Sequence, residues 1–441
     1  MIATRFAPSP TGLLHIGNLC TALVSYLHSR SNGGKFVLRI DNTDRARSEE
    51  VFTKCIKEDL EWLGLKWDLS FCQSDRSSSY VSSKKQLINC RRLYPCYENE
   101  EELNIKKQKL LQKGLPPIYD RSSLMLSENE KIKLEKSGVK PYWRFLIKNE
   151  LITWKDGVRG NVIFDSKKLS DPILVRNNGT VTYNLASVVD DVDYHITDIV
   201  RGEDHISNSA VHLQLFQALG ARIPNFSHVS LVKTKDLKLS KRSPNGSIKD
   251  LREKGILPES ILNYLYKKIL SHPFDVLDTK EVLIKKFSLY KLSTSPIVYQ
   301  EQELYKLNEK AFRIATFSTI KSILDSYIKN DITEDFWLCM RDNLKEIKEV
   351  FLWWEICKKR VKTRIIDCEL IKIALATVPV EALGVSSWSQ WMRDIKRQTP
   401  CRGRKLFVPL RIAITGKEHG PELTQILQHI PRALLLERLS Q

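Results

Sequence analysis

At 441 residues the chain is too long for a single hydrophobic core, and two to four domains are expected at ~100–200 residues each. The balance of 70 Lys and Arg against 52 Asp and Glu leaves a net charge of +18, which favours a polyanionic partner, nucleic acid first, over a merely solvated basic surface. An odd count of nine scattered cysteines argues against a disulfide framework and fits a reducing cytoplasm. The chain does not open on the apolar core of a signal peptide, and no apolar run is long enough to span a bilayer, so no membrane role is expected.

Ile2 to Ala7 reads as a strand, and Leu19, Ala22, Leu23, Tyr26 and Leu27 have the spacing of a helix's buried face. Between them lies RFAPSPTGLLHIGN, Arg5 to Asn18. Pro8 and Pro10 break both element types, and Gly12 and Gly17 remove side chains where the backbone must approach something closely. A stiff loop running into a helix N-terminus offers N–H groups and a dipole to an anion, so a phosphate site is expected there. The helix stops at Gly33-Gly34, the strand KFVLRI follows, and VFTKCIKEDLEWLGL is the next helix. This alternation predicts a parallel sheet, whose ligands sit at the carboxyl ends of the strands. Arg5 ends the first strand, and Asp41, Asn42, Thr43 and Asp44 follow the second, a charge arrangement suited to a zwitterion.

Further along, IKKQKLLQK (Ile105 to Lys113) reads as a basic, solvated helix. TYNLASVVDDVDYHITDIVRGEDH carries another apolar strand that ends at Arg201, Gly202, Glu203 and Asp204. In SLVKTKDLKLSKRSPNGS a strand end runs into a lysine-bearing loop, which could close over a triphosphate and neutralise developing charge. Beyond this loop the pattern is helical. Trp337, Trp353 and Trp354 are expected in the core, and Arg393 to Arg411 carries seven Lys or Arg against one Asp, suiting backbone phosphates and splayed bases.

HIGN at His15 to Asn18 and KLSKR at Lys238 to Arg242 resemble the two motifs of class I aminoacyl-tRNA synthetases. RFAPSPTG, RIDNTDRARS, TYNLASVVDD, IVRGEDHI and the late KLFVPLRIAITGKEHGPEL are similar to bacterial glutamyl-tRNA synthetases, in family order over nearly the whole chain. The resemblance implies a Rossmann-like, doubly wound parallel-sheet catalytic domain with an inserted α+β acceptor-binding domain, followed by all-α C-terminal domains. The expected boundaries are 1–74 and 188–236 for the catalytic halves, 75–187 for the insertion, 237–320 for a stem-contact domain and 321–441 for the anticodon-binding part.

The implied reaction joins L-glutamate to tRNA-Glu, with tRNA-Gln as a further candidate acceptor. Glutamate attacks the α-phosphate of ATP, which enters with Mg²⁺, and the terminal 2′-hydroxyl of the tRNA then takes the glutamyl group. The resemblance assigns catalysis to His15, Gly17, Asn18, Lys238, Ser240 and Lys241, and ATP binding to His15, Gly17, Asp204, His205 and Lys241. It assigns glutamate to Arg5, Ser9, Asp41, Tyr183, Ser187 and Arg201. Arg201 is the expected fork for the substrate's side-chain carboxylate. Its alternative is an ion pair with Glu203 or Asp204.

Three positions depart from the family: Asp41 stands where Glu is common, Ser187 where Asn is common and Val181 where Pro is common. Asp41 is one methylene short, so a water or a backbone shift must fill the gap to the substrate ammonium. No protein-held metal is expected. Cys90 and Cys96 cannot gather four zinc ligands locally, because no histidine lies between His28 and His195. A cytoplasmic monomer is expected. The rival readings are a glutamyl-queuosine tRNA-Asp synthetase-like paralogue, which lacks anticodon domains, a HIGH-type nucleotidyltransferase, which has no need of the basic helical half, and an RNA-binding protein with a decayed active site.

Overall fold

The computed structural model describes residues 1–44, 46–233, 246–271, 277–327, 331–380 and 385–441. These fall into two compact units, Met1–Leu251 with Ile261–Gln300, and Arg252–Ser260 with Glu301–Gln441.

The first unit opens with β1 (Ala3–Phe6), α1 (Ile16–Ser31), β2 (Lys35–Ile40), α2 (Glu50–Trp62) and β3 (Leu69–Cys72). KFVLRI is buried at every residue after Lys35, as a strand covered on both faces must be. An intervening segment follows: α3 (Ser77–Asn89), β4 (Leu93–Cys96), α4 (Glu100–Gln112), α5 (Glu128–Lys136), β5 (Tyr142–Phe145), β6 (Leu151–Asp156), β7 (Gly160–Asp165), β8 (Ile173–Val175) and α6 (Tyr183–Asp193). The chain then returns to the first sheet through β9 (Asp198–Gly202), α7 (Ile206–Ala218) and β10 (Asn225–Val229).

The main sheet has the order β10-β9-β1-β2-β3 and is parallel throughout, with Arg5 opposite Val37 and His228 opposite Arg201. Strands 100 or more residues apart in sequence become neighbours here, which the helical crossovers permit. The intervening segment holds the antiparallel sheet β4-β5-β8 and the hairpin β6-β7. One hydrophobic cluster runs from Leu87, Phe145 and Leu174 through Leu185 to Ile199, Phe216 and Phe226, tying that segment to the main sheet. Helix α4 buries none of its residues, in line with a solvated basic helix, and starts on a capping box of Asn99 and Glu102. The short pair β11 (Val232–Lys233) and β12 (Ile297–Val298) completes the strands. Helices α8 (Ile248–Glu253) and α9 (Pro258–Leu270) contribute residues to both units, and α10 (Lys280–Lys286) belongs to the first.

The second unit is otherwise helical: α11 (Glu301–Ile314), α12 (Phe317–Tyr327), α13 (Glu334–Met340), α14 (Lys348–Lys358), α15 (Cys368–Ala376), α16 (Val385–Gln398), α17 (Arg404–Thr415), α18 (Leu423–Leu427) and α19 (Arg432–Leu439). Trp337, Trp353 and Trp391 are buried in its core. Trp354, expected there too, is only half-buried, under the Lys358 ammonium at 5.0 Å. The buried Arg438 donates to the carbonyls of Ile414, Ile356 and Lys359, satisfying orphan acceptors where α14 and α17 end. No described helix is long and apolar enough to cross a membrane.

Candidate active site

A cavity of about 400 Å³ lies at the carboxyl ends of β1, β2 and β9. This is where a parallel sheet presents its strand-end residues. Arg5, Ser9, Asn18, Asp41, Tyr183, Arg201 and His205 all line it, gathered from four separate stretches of sequence. Arg47 and Arg176 also line it. Lys238, Ser240 and Lys241 lie outside the described residues, and Asp204 sits in the short turn Glu203–His205 that follows β9.

His15 caps its own helix. Its Nδ1 accepts from the backbone N–H groups of Gly17 at 3.0 Å and Asn18 at 3.3 Å. This corrects the reading of a helix end with free N–H groups, because the imidazole occupies two of them. An accepting Nδ1 carries no proton, so the neutral ring holds it at Nε2, which becomes the ring's donor. Gly17 has a local reason to be glycine: a Cβ there would meet His15 Cε1 at 2.9 Å and push the capping ring away. The Oδ1 of Asn18 is buried and has no hydrogen-bond partner.

Behind Asp41 lies a saturated ion-pair network. Arg39 Nε and Nη2 donate to the two Asp41 oxygens at 2.6 and 3.3 Å, and Nη1 donates to Asp191 Oδ1 at 2.8 Å. Arg39 also donates to the Ser187 carbonyl and hydroxyl at 3.2 and 3.1 Å. Burial alone would lower the Arg39 guanidinium's pKa, but Asp41 and Asp191 raise it well above its ordinary value. Burial raises the Asp41 carboxyl, with Arg39 opposing. Ser187 is fully buried and lies outside the cavity lining, against Arg39. Arg5 shares Asp191, at 3.1 Å, and donates to the Val200 carbonyl at 3.2 Å.

Arg201 differs. It is 4% exposed, yet no Asp or Glu among the described residues forms an ion pair with it. Glu203, the expected alternative partner, pairs with Arg159 instead. The Arg201 contacts are uncharged groups: Tyr183 Oη at 3.5 Å, His212 Nδ1 at 3.3 Å and the Ser209 hydroxyl. Its Nε is buried without a partner. Burial, and then the nearby Arg5 charge, lower its pKa from the ordinary value. A guanidinium in a cavity wall with no carboxylate of its own has the chemistry to take an anionic ligand.

Sequence reasoning missed Arg39, Asp191, Ser209 and His212. Arg39 left a signal, since a lone arginine in a strand as apolar as KFVLRI must find buried acceptors. Asp191, Ser209 and His212 left none, because helix periodicity says only that they face inward.

Residues 1–306 match the family described as tRNA synthetases class I (E and Q), catalytic domain, and residues 369–441 match the anticodon binding domain. The strand-end cavity and parallel sheet are thus those of a class I aminoacyl-tRNA synthetase. Glutamate–tRNA ligase 1 of Rickettsia felis is 43% identical over 444 residues, covering 100% of this chain and 99% of the relative. Glutamate–tRNA ligase 2 of Orientia tsutsugamushi (strain Boryong) is 43% identical over 430 residues, covering 97% and 96%. A solved glutamate tRNA ligase from Elizabethkingia meningosepticum, in complex with its amino acid, shares the fold with a TM-score of 0.87 at 24% identity, covering 100% of this chain and 98% of that one. The chain belongs to the glutamate–tRNA ligase family.

Proposed function

We propose that this chain activates L-glutamate with ATP and transfers it to tRNA-Glu. The observation that carries the reading is Arg201, a buried guanidinium in the cavity wall that only uncharged protein groups contact. A glutamate side-chain carboxylate completes it with two charge-assisted hydrogen bonds. Neutral glutamine leaves the charge uncompensated, so the site selects by the penalty on the wrong ligand.

In the first step a carboxylate oxygen of glutamate attacks the α-phosphorus, and the bond to pyrophosphate breaks. In the second, the terminal adenosine 2′-hydroxyl attacks the glutamyl carbonyl and AMP leaves. The substrate carboxylate is already nucleophilic, so the protein supplies position and charge. His15 Nε2–H and the Asn18 amide face the transferring phosphate, and Gly17 keeps that cap in place. Lys238 and Lys241, with Ser240, neutralise the departing pyrophosphate. Asp204 and a neutral His205, whose basicity burial and then Arg201 lower, flank the nucleotide. Mg²⁺ enters on the ATP phosphates as part of that substrate.

Arg5, Ser9, Asp41 and Tyr183 surround the glutamate backbone, with Ser187 supporting Arg39 from below. Residues 75–187 grip the acceptor end, 237–320 follow the stem and 321–441 meet the anticodon, in a monomer working in the cytoplasm. The matching anticodon-binding domain supports this reading over the shortened paralogue and the small-molecule nucleotidyltransferase.

The test is charging of purified tRNA-Glu and tRNA-Gln with labelled glutamate or glutamine, alongside ATP–pyrophosphate exchange with and without tRNA. Glutamate on tRNA-Glu, with exchange that requires tRNA, is the expected result, and the tRNA-Gln arm decides whether it is a second acceptor. Charging with glutamine, or no charging of either tRNA, overturns the proposal.

A further inference from the structure

The hydrogen bonding behind Arg201 continues past Ser209. The Ser209 hydroxyl lies 2.6 Å from His228 Nε2, and His228 Nδ1 lies 2.5 Å from Asp156 Oδ2. The other Asp156 oxygen accepts the backbone N–H groups of Val158, Arg159 and His228, each at 3.0 Å. Ser209, His212 and His228 are wholly buried and Asp156 nearly so. The residues come from α7, β10 and the end of β6.

The protons in this chain are ordered by elimination. A guanidinium only donates, so the Ser209 oxygen accepts from Arg201 Nη2 and His212 Nδ1 accepts from Nη1. His212 then carries its proton on Nε2, which donates to Asn184 Oδ1 at 3.0 Å. Asp156 only accepts when ionised, so it holds the His228 proton on Nδ1 and leaves Nε2 as acceptor for the Ser209 hydroxyl. The alternative taker of that hydroxyl proton, the His205 carbonyl, is farther away at 3.2 Å. Burial alone would raise the Asp156 carboxyl, but hydrogen bonds from His228 and the backbone outweigh it and bring it down to about 2. Burial, with Arg201 adding to it, lowers both His212 and His228.

The order Asp, His, Ser is that of a hydrolytic triad, but here the serine is sealed from solvent and spends a lone pair on a guanidinium. We propose that Asp156, His228 and Ser209, with His212 on the other side, are positioning residues that hold the Arg201 fork in place and so set affinity for glutamate and selectivity against glutamine. A carboxylate touching Arg201 would fix it equally well but neutralise it. A neutral serine and imidazole fix the fork while its charge stays available. The inference rests on the reading of Arg201 as the partner of the substrate carboxylate.

The full chain is tested with Ser209→Ala and His228→Gln beside the parent and Arg201→Gln, reading kcat, KM for glutamate and for ATP, glutamine inhibition and thermal stability. Asp156→Asn, which keeps the volume, is a further variant should one of these fail to fold. Its signature is the His228 tautomer, read from ¹⁵N shifts, moving from Nδ1–H toward Nε2–H. The expected result is a glutamate KM raised at least tenfold, with kcat and ATP KM within threefold and weaker discrimination against glutamine. If Arg201→Gln raises the glutamate KM and neither relay variant moves it more than twofold, the relay is overturned and the pocket reading stands. If Arg201→Gln leaves it unchanged, the pocket reading itself fails. A parallel fall of kcat and both KM-linked efficiencies with lost thermal stability also overturns the relay, as a merely structural role.

Discussion

Arg39 on β2 and Arg201 on β9 flank β1 from opposite sides, and both are almost wholly buried. Asp41 and Asp191 saturate the first, whereas hydroxyls and an imidazole hold the second. One charge is neutralised within the fold and keeps the cavity floor rigid. The other is held by groups that do not neutralise it, and an anionic ligand would relieve the penalty of burying it. In the proposed reading, identical side chains in one sheet act as a strut and as a receptor, and the difference lies in their partners.

The largest expected effect breaks the strut. Arg39→Gln strands Asp41 without its cation, leaves Asp191 only Arg5, and should cost about 3–5 kcal/mol of stability in the unit that holds the sheet. Urea unfolding checks this, and a loss below about 1 kcal/mol would remove the contrast. The receptor should behave in the opposite way. Arg201→Lys replaces a fork by a point charge and should raise the glutamate KM roughly 10- to 150-fold, from ~1.5–3 kcal/mol for a charge-assisted hydrogen bond. Its melting temperature should hardly move, because one buried, unneutralised cation replaces another. Steady-state charging with saturating ATP and tRNA, beside a melting curve, measures both.

Asp41 sharpens the comparison because it belongs to both sides, facing the cavity while held by Arg39. Asp41→Asn should cost about 1–3 kcal/mol of stability and raise the glutamate KM modestly, since it weakens a charge-assisted contact in each role. Asp41→Glu should regain reach toward the substrate ammonium only if Arg39 can follow. An Asp41→Asn enzyme with parental KM and parental stability would show that neither role holds.

The smallest effect concerns the neutral partners. His212 in the folded chain has a pKa well below 6.5, because of burial and then Arg201. The unfolded chain therefore takes up a proton first as pH falls through 6.5, and stability falls with it. At pH 5.5 this amounts to on the order of 1 kcal/mol, and His212→Gln should lose correspondingly less stability between pH 7 and 5.5 than the parent. Equal losses in the two proteins would mean that His212 is not the neutral partner described.

Much of the scaffold was legible before the fold. KFVLRI announced a buried strand, the strand–helix alternation a parallel sheet, and the helical periodicity after residue 247 a largely helical second half. Arg5, Asp41 and Arg201 could be placed at strand ends because that is where a parallel sheet presents its ligands. Ser187 was grouped with them by family resemblance alone, since a helix position fixes a direction but not a depth. It lies beneath the floor, against Arg39.

The sequence by itself determined which elements form and which charged residues stand at strand ends, because both follow from periodicity and from breakers acting over a few neighbouring residues. Only the tertiary structure decided which charges are spent. Arg39 meets Asp191 across 152 residues of chain, and Arg201 meets Ser209 through a helix that packs back beneath its own strand. Proton positions are settled at the same level. His228 is oriented by a carboxylate 72 residues away. Desolvation and pairing depend on distance in space, and a linear pattern carries no measure of that.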